Sequence, residues 1–400
     1  MPDSGRTLTD PGLAGSDFAI QAPTLFDGER FLSGHCVIVR GQSIAQVLPA
    51  AQCPPALARL ILHRGVLAPG FVDLQVNGGG DVMFNNAPTV AALDTLCTAH
   101  RAAGTTAMYP TLISDTPAQQ RRAVAAVRAA RAGGNAGILG IHLEGPHLEA
   151  ARRGAHHSRM IRPALDSDID WLCSLNDIST IVTLAPEHAA PQQIERLTAS
   201  GILVCAGHTG ASYAQITRAA AAGLSGITHL FNAMSPLTAR EPGAVGAALD
   251  DDRLWLGIIA DGHHVHPAAI RLAARAKPEG RMVLVSDAMA TVGGSSGAFT
   301  LYGERICARD GALFNTEGAL AGSAIGLIGA VRYAVHGAGL PLAQCLRMAS
   351  LYPAAIVGLG HRLGRIAAGY RADLVHFDDD FAVRHTWAAG AGMSHSRPAR

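Results

Sequence analysis

Lysine is nearly missing from this chain: of 32 basic residues only Lys277 is a lysine. It stands in AARAKPEG, at a helix end followed by proline, so no strand pattern ends in a lysine. Charged residues make up 16% of the chain and the formal net charge is +1, so nothing resembles the basic face that nucleic acid demands. The longest apolar runs stop at roughly ten residues, well short of the ~20 that span a bilayer. The first twenty residues, MPDSGRTLTDPGLAGSDFAI, are polar and carry Gly and Pro, unlike a signal peptide. CxxC is absent as well. The seven cysteines (36, 53, 97, 173, 205, 307 and 345) are scattered and odd in number. That excludes a disulfide framework and suits reduced thiols in a cytoplasm. Cys205 lies inside an apolar run and reads as a small core residue.

What the chain has in quantity is apolar residues, 48% of 400, enough for one large domain with a small companion. Its middle alternates apolar runs with amphipathic stretches. Strands are expected at 66–76, 106–113, 136–145, 178–187, 202–209, 226–231, 254–261 and 281–288. Helical patterns at 91–104, 117–134, 191–201 and 212–223 lie between them, several opening on Pro or Ser and closing on Gly. Eight such units fit a (β/α)₈ barrel. A doubly wound open sheet is the alternative, but no Gly-rich phosphate loop follows the first strand. The flanks have a different texture, β-like runs broken by Gly turns such as DGER and GQS. The expected organisation is an N-terminal extension without fixed structure at 1–17 and a small β-sandwich domain from 18–66 and 360–391. A barrel fills 67–359 and a flexible tail 392–400. Residues 298–322 read as a hairpin excursion after strand eight.

Four strand patterns turn from apolar to ionisable at their last residues: GILGIHLEG, ILVCAGHT, ITHLF and MVLVSDA. They bring Glu144, His208, His229 and Asp287 to the ends of strands three, five, six and eight. In a barrel all four converge on the C-terminal mouth. Two imidazoles and a carboxylate can hold a divalent metal, and a second carboxylate can move protons. The pattern points to a metal-dependent hydrolase. The bland reading, that among 18 histidines an isolated one is structural or exposed, applies to His100 and His336, which fall on helical patterns and read as surface residues.

The motifs LAPGFVDLQVNG (67–78), HLEGPHL (142–148), GAHH (154–157), AGHT (206–209), THLFNAM (228–234), REPG (240–243), ADGHHV (260–265), VSDAM (285–289) and LAGS (320–323) together resemble the amidohydrolase superfamily. Within it, they resemble the N-acetylglucosamine-6-phosphate deacetylase family. The resemblance covers nearly all of the chain after residue 20. It implies hydrolysis of N-acetylglucosamine 6-phosphate to glucosamine 6-phosphate and acetate. Many superfamily members carry His-x-His on strand one, where this chain has Gln75 and Asn77. Neutral amides are poor zinc ligands beside imidazole and carboxylate, and no strand-end lysine is present to bridge two metals. One divalent metal per subunit is therefore expected, held by Glu144, His208 and His229. Zinc is the first choice, with iron(II), cobalt(II) and manganese(II) as alternatives.

The resemblance further implies that Asp287 is the general base and acid and that His156, rather than His157, polarises the carbonyl. It places His264 and Arg240 on the phosphate, Arg240 reaching in from the neighbouring subunit of a homodimer. Asn232 and Ala233 supply further substrate donors. Gln75 and Asn77 remain available to hydrogen-bond solvent or Glu144. His142 shares the face of Glu144 and reads as its support or as core. His147 stands where the family has an aromatic residue, a departure that touches the pocket wall. Three alternatives accompany this reading: the same chemistry on the N-acetylgalactosamine epimer, another mononuclear amidohydrolase, and a barrel kept as a sugar-phosphate sensor. The last would be marked by loss of Asp287 or a ligand, and all are present.

Overall fold

In a computed structural model, which describes residues 17–395, eight parallel strands form the barrel in chain order. They are Phe71–Val76, Thr105–Ile113, Ile141–Glu144, Thr180–Leu184, Leu203–Ala206, Gly226–Ile227, Trp255–Ile258 and Met282–Leu284. Each lies within or against one of the eight apolar runs read from the sequence. The ring closes not by a full ladder but by a bridge between Val76 and Ala288. Amide bonds from Asp287 to Gln75 O (3.0 Å) and from Asn77 to Ala288 O (2.9 Å) reinforce it. Strands one and two are buried along their whole length. Two covered faces are why these runs are continuously apolar rather than alternating.

The helices begin where their sequences supply a cap. Thr89 and Thr116 accept the first free amides of Val90–Arg101 and Pro117–Ala132. Ser212 and Gln215 close a reciprocal box at Tyr213–Ala221. Proline opens Pro117–Ala132, Pro191–Ala199 and Pro267–Ala276. Lys277 ends the last of these, its Nζ donating to the carbonyls of Ala248 and Asp251.

The terminal segments pair into one eight-stranded sheet. Val66–Pro69 joins its two halves, running parallel to Phe18–Phe26 and antiparallel to Leu374–Phe377. The run expected as a single strand over 66–76 is therefore two, broken at Gly70. A Cβ at Gly70 would sit 2.2 Å from Thr106 Oγ1, so only glycine lets the chain cross from one sheet to the other. The excursion after strand eight is a meander of three strands, Ala298–Leu301, Glu304–Arg309 and Ala312–Phe314.

Two further expectations are corrected. The chain does not go slack at 392: Ala391–Ser394 is an edge strand antiparallel to Val383–Ala388. A polar composition hid it because edge strands tolerate polar residues. His100 is not a surface residue but fully buried, its Nε2 2.9 Å from Gly78 O. The extension at 1–17 lies, but for Asp17, outside the described residues, as does the tail from 396. All seven cysteines are free thiols among the described residues, and Cys205 is in the core. No helix of the described residues is long and apolar enough to cross a membrane.

Gly70→Ala should cost about 1–3 kcal/mol through overpacking against Thr106, seen as a lower urea midpoint at unchanged slope. Combined with Thr106→Ala, the loss should be smaller than the sum of the two. A Gly70→Ala protein as stable as the parent would contradict the steric account.

Candidate active site

The barrel mouth opens into a cavity of about 570 Å³ lined by Asn77, Glu144, His156, His208, His229 and Asp287, among others. Glu144 is the last residue of its strand. His208 and His229 each follow their strand by two residues and Asp287 by three. The last three adopt positive φ (47°, 33° and 49°), which turns their side chains off the strand direction. For residues other than glycine this backbone is strained and is kept only where the surroundings enforce it.

Three acceptor atoms meet at the centre. Glu144 Oε1 lies 3.1 Å from His208 Nε2 and 3.0 Å from His229 Nε2, and the two nitrogens are 3.0 Å apart. His208 Nδ1 donates to Arg152 O at 2.8 Å, which leaves its Nε2 as a lone pair. Tetrahedral zinc, about 2.0–2.1 Å from each ligand, would hold such atoms about 3.3 Å apart. Two imidazole nitrogens, that of His208 fixed as a lone pair, and a carboxylate oxygen facing one another fit a divalent cation.

His156 also brings a ring nitrogen within 4.8 Å of Glu144 and His208. Its Nδ1, however, accepts from Ser114 N (3.2 Å) and lies 2.8 Å from Ser114 Oγ. The proton is thereby left on Nε2, making His156 a donor rather than a ligand.

The amides of strand one have a definite place. Gln75 Nε2 donates to Glu144 Oε2 and to Asp287 Oδ1, both at 3.1 Å, and Asn77 Nδ2 donates to Asp287 Oδ1 at 2.6 Å. A buried carboxylate and a partly buried one are thus joined through neutral donors. Burial alone would raise Glu144, but hydrogen bonds and charge from His208 and His229 outweigh it and hold this carboxyl well below its usual range. Burial likewise opposes a proton on His229, and Glu144 overcomes it, raising that imidazole. Asp287 behaves oppositely: burial, with the charge of Glu144, pushes it up to about 6. A bound cation would pull it down.

Of the remaining sequence candidates, His264, Asn232 and Ala233 line the cavity and Arg240 does not. His264 lines the cavity, its ring 2.6 Å from Asp261 Oδ2, while Asp261 Oδ1 accepts the amides of His263 and His264 at 2.8 Å. Asn232 and Ala233 line it too, Asn232 donating to His229 O. Arg240 is exposed on a loop and does not line the cavity of its own chain. His157 caps a short turn through the amide of Arg159. His142 sits beneath Glu144, bonded to Leu74 O and Thr183 Oγ1, and burial lowers its pKa to about 4. His147 is buried against Arg162 O and is not among the cavity residues. Ser114 and Asp261, which orient His156 and His264, are functional residues absent from the sequence candidates. The Asp261–His264 spacing in ADGHH was the available signal.

The Amidohydrolase family profile matches residues 66–392, and the chain belongs to that family. The chain is 42% identical over 341 residues to the N-acetylgalactosamine-6-phosphate deacetylase of Shewanella sp. (strain ANA-3), covering 85% of this chain and 86% of the relative. It is 33% identical over 362 residues to the N-acetylglucosamine-6-phosphate deacetylase of Haemophilus influenzae, covering 90% and 94%. The crystal structure of N-acetylglucosamine-6-phosphate deacetylase from Pasteurella multocida superposes with a TM-score of 0.92 at 35% identity, covering 95% of this chain and all of that one. The family and the His/Glu cluster together support a divalent metal in the site.

Below the site, Asp73 is fully buried. Its Oδ1 accepts the amides of Gln75 and Ser286 (3.2 Å each), Oδ2 has no partner among the described residues, and burial pushes its pKa up to about 7. Asp73 and Asp287 both hold a proton more tightly folded than unfolded, where the value is near 3.8. Their contribution is therefore complete below about pH 4 and is lost as pH rises through 6 to 7. In metal-free protein, Asp73→Asn should reduce the fall in stability between pH 4.5 and 8 by roughly 2–4 kcal/mol. Identical pH slopes for parent and variant in urea titrations would refute this.

Proposed function

We propose that this chain is a metal-dependent deacetylase that hydrolyses N-acetylglucosamine 6-phosphate to glucosamine 6-phosphate and acetate. The observation that carries the reading is the convergence of Glu144 Oε1, His208 Nε2 and His229 Nε2 beside Asp287. It occurs in a chain whose relatives bear deacetylase names for this sugar phosphate and its galactose epimer. Glu144, His208 and His229 would hold one zinc ion. Bound there, it would supply a Lewis acid that lowers the pKa of water to roughly 7. Gln75 and Asn77 support a single metal, because their amide nitrogens already occupy the acceptors a second cation would need.

Asp287 takes the proton of the attacking water and returns it to the departing amine. Both amides bind Oδ1, which leaves Oδ2 for that transfer. His156, with Nδ1 committed to Ser114, donates through Nε2 to the carbonyl oxygen as negative charge develops there. His264, oriented by Asp261, meets the 6-phosphate together with Asn232 and the backbone at Ala233. Arg240, outside its own cavity, completes the phosphate site of the partner in a homodimer.

Acetate release from the phosphorylated sugar tests the reading. Chelation should abolish it, one equivalent of zinc should restore it, and Asp287→Asn should lower kcat about 10²–10⁴-fold. No release by metal-replete protein would overturn the assignment, and a requirement for two equivalents would overturn the single-metal claim. In paired assays kcat/KM should favour the gluco epimer; the reverse order would reassign the substrate. Arg240→Ala should raise KM for the phosphorylated sugar far more than for its unphosphorylated analogue.

A further inference from the structure

Outside the ligand set a second acidic cluster, Glu149, Glu187 and His188, brings its side-chain atoms within 4.8 Å of one another. Its hydrogen bonds argue against a second cation. Glu187 Oε2 accepts from the hydroxyl of Thr209 and Oε1 from the amide of Gly210, both at 2.5 Å. Glu149 Oε1 accepts from Ala151 N, and Oε2 lies 2.9 Å from His188 Nε2. The carboxylates are spent on donors, and those of Glu187 are the two residues immediately after His208.

His208 needs such support. Its φ of 47° is strained for a residue with a side chain. Its carbonyl accepts from Glu149 N (2.8 Å) and its Nδ1 donates to Arg152 O. Nothing in its own short strand fixes the turn that follows. Glu187, on the turn Pro186–His188 after barrel strand four, grips that turn from the neighbouring strand. Thr209 passes the constraint on: its amide donates to Ala233 O and its carbonyl accepts from Ser235 N. A carboxylate on the turn after strand four thereby fixes the loops after strands five and six, which carry His208 and His229.

We propose that Glu187 is a positioning residue for the metal site. It holds His208 in its left-handed conformation by accepting from Thr209 and Gly210, so that Nε2 reaches the metal without reorganisation. The proposal rests on the reading of His208 as a ligand. Partners that orient a ligand typically contribute 10–100-fold in metal affinity. Glu187→Ala should therefore weaken zinc binding by about that factor in competition with a chromophoric chelator. The melting temperature of the metal-free protein should change little, and excess zinc should recover kcat. Glu187→Gln, which keeps one acceptor, should fall between, and Thr209→Val should reproduce part of the loss.

His208→Ala separates the two ideas. If it binds zinc as tightly as the parent, the ligand reading fails. If it loses zinc while Glu187→Ala and Glu187→Gln retain parental affinity, the positioning role alone is overturned. Should Glu187→Ala fail to fold, Glu187→Gln and Thr209→Val decide by the same titration, and parental affinity in both overturns the proposal.

Discussion

The buried carboxylate of Glu144 sets the terms for everything around it. It is 2% exposed at the centre of the barrel mouth, where an uncompensated charge would be prohibitive. One oxygen is met by the amide of Gln75, while the other faces the Nε2 atoms of His208 and His229, and His208 donates through its other nitrogen, Nδ1, to Arg152 O. That face is neutralised by a proton on His229 or by a cation, and the two compete for the same lone pairs. Metal affinity in such a site must fall with acidity, because each ligand has to be free of its proton to bind. The same charge reaches Asp287, which Glu144 helps to keep protonated to a higher pH than an ordinary carboxyl.

Holding these groups together requires backbone that local preference does not favour. His208, His229 and Asp287 all sit at positive φ, each at a cost on the order of 1–3 kcal/mol. Compensation comes from bonds between neighbouring loops rather than within any one of them. Leu230 N binds Gly257 O, Glu149 N binds His208 O, and Asp287 N binds Gln75 O. His208, His229 and Asp287 are thus each fixed by bonds from other loops and strand ends of the barrel, so the closed ring of strands is what makes the strain affordable. The seam between strands eight and one, thin in ladder bonds, is supplemented by Asp73 and Ser286 beneath Asp287.

The sequence showed the positions of the strands and which of them end in ionisable residues, because two buried faces leave unbroken apolar runs and a charge at their end stands out. It did not show how the ends turn. Positive φ at a histidine has no compositional mark, and Ser114, Asp261 and Glu187 act through hydrogen bonds to residues distant in the chain or common in any loop. Gly70 looked like part of a strand since the runs on either side are equally apolar; only the approach of Thr106 shows why the chain must change sheets there. His100 misled for a related reason. Its helix is amphipathic, but the residue faces Gly78 of the hairpin after strand one, an element too short to leave a pattern.

Gln75 and Asn77 are best understood through the proton that must move. Imidazoles at those positions would present lone pairs to a second cation, and that cation would sit against Asp287 and depress its affinity for a proton. Amides act in the same direction with far less force, since an N–H donor also favours the charged carboxylate. They donate to Glu144 and Asp287, hold the two carboxylates in register, and leave burial and the charge of Glu144 to keep Asp287 near the range where a carboxyl can both accept and return a proton. A site that ends in the departure of an amine needs that return step. The amides of Gln75 and Asn77, which look like missing ligands when compared with His-x-His, are donors that hold Glu144 and Asp287 in place without adding charge to the site.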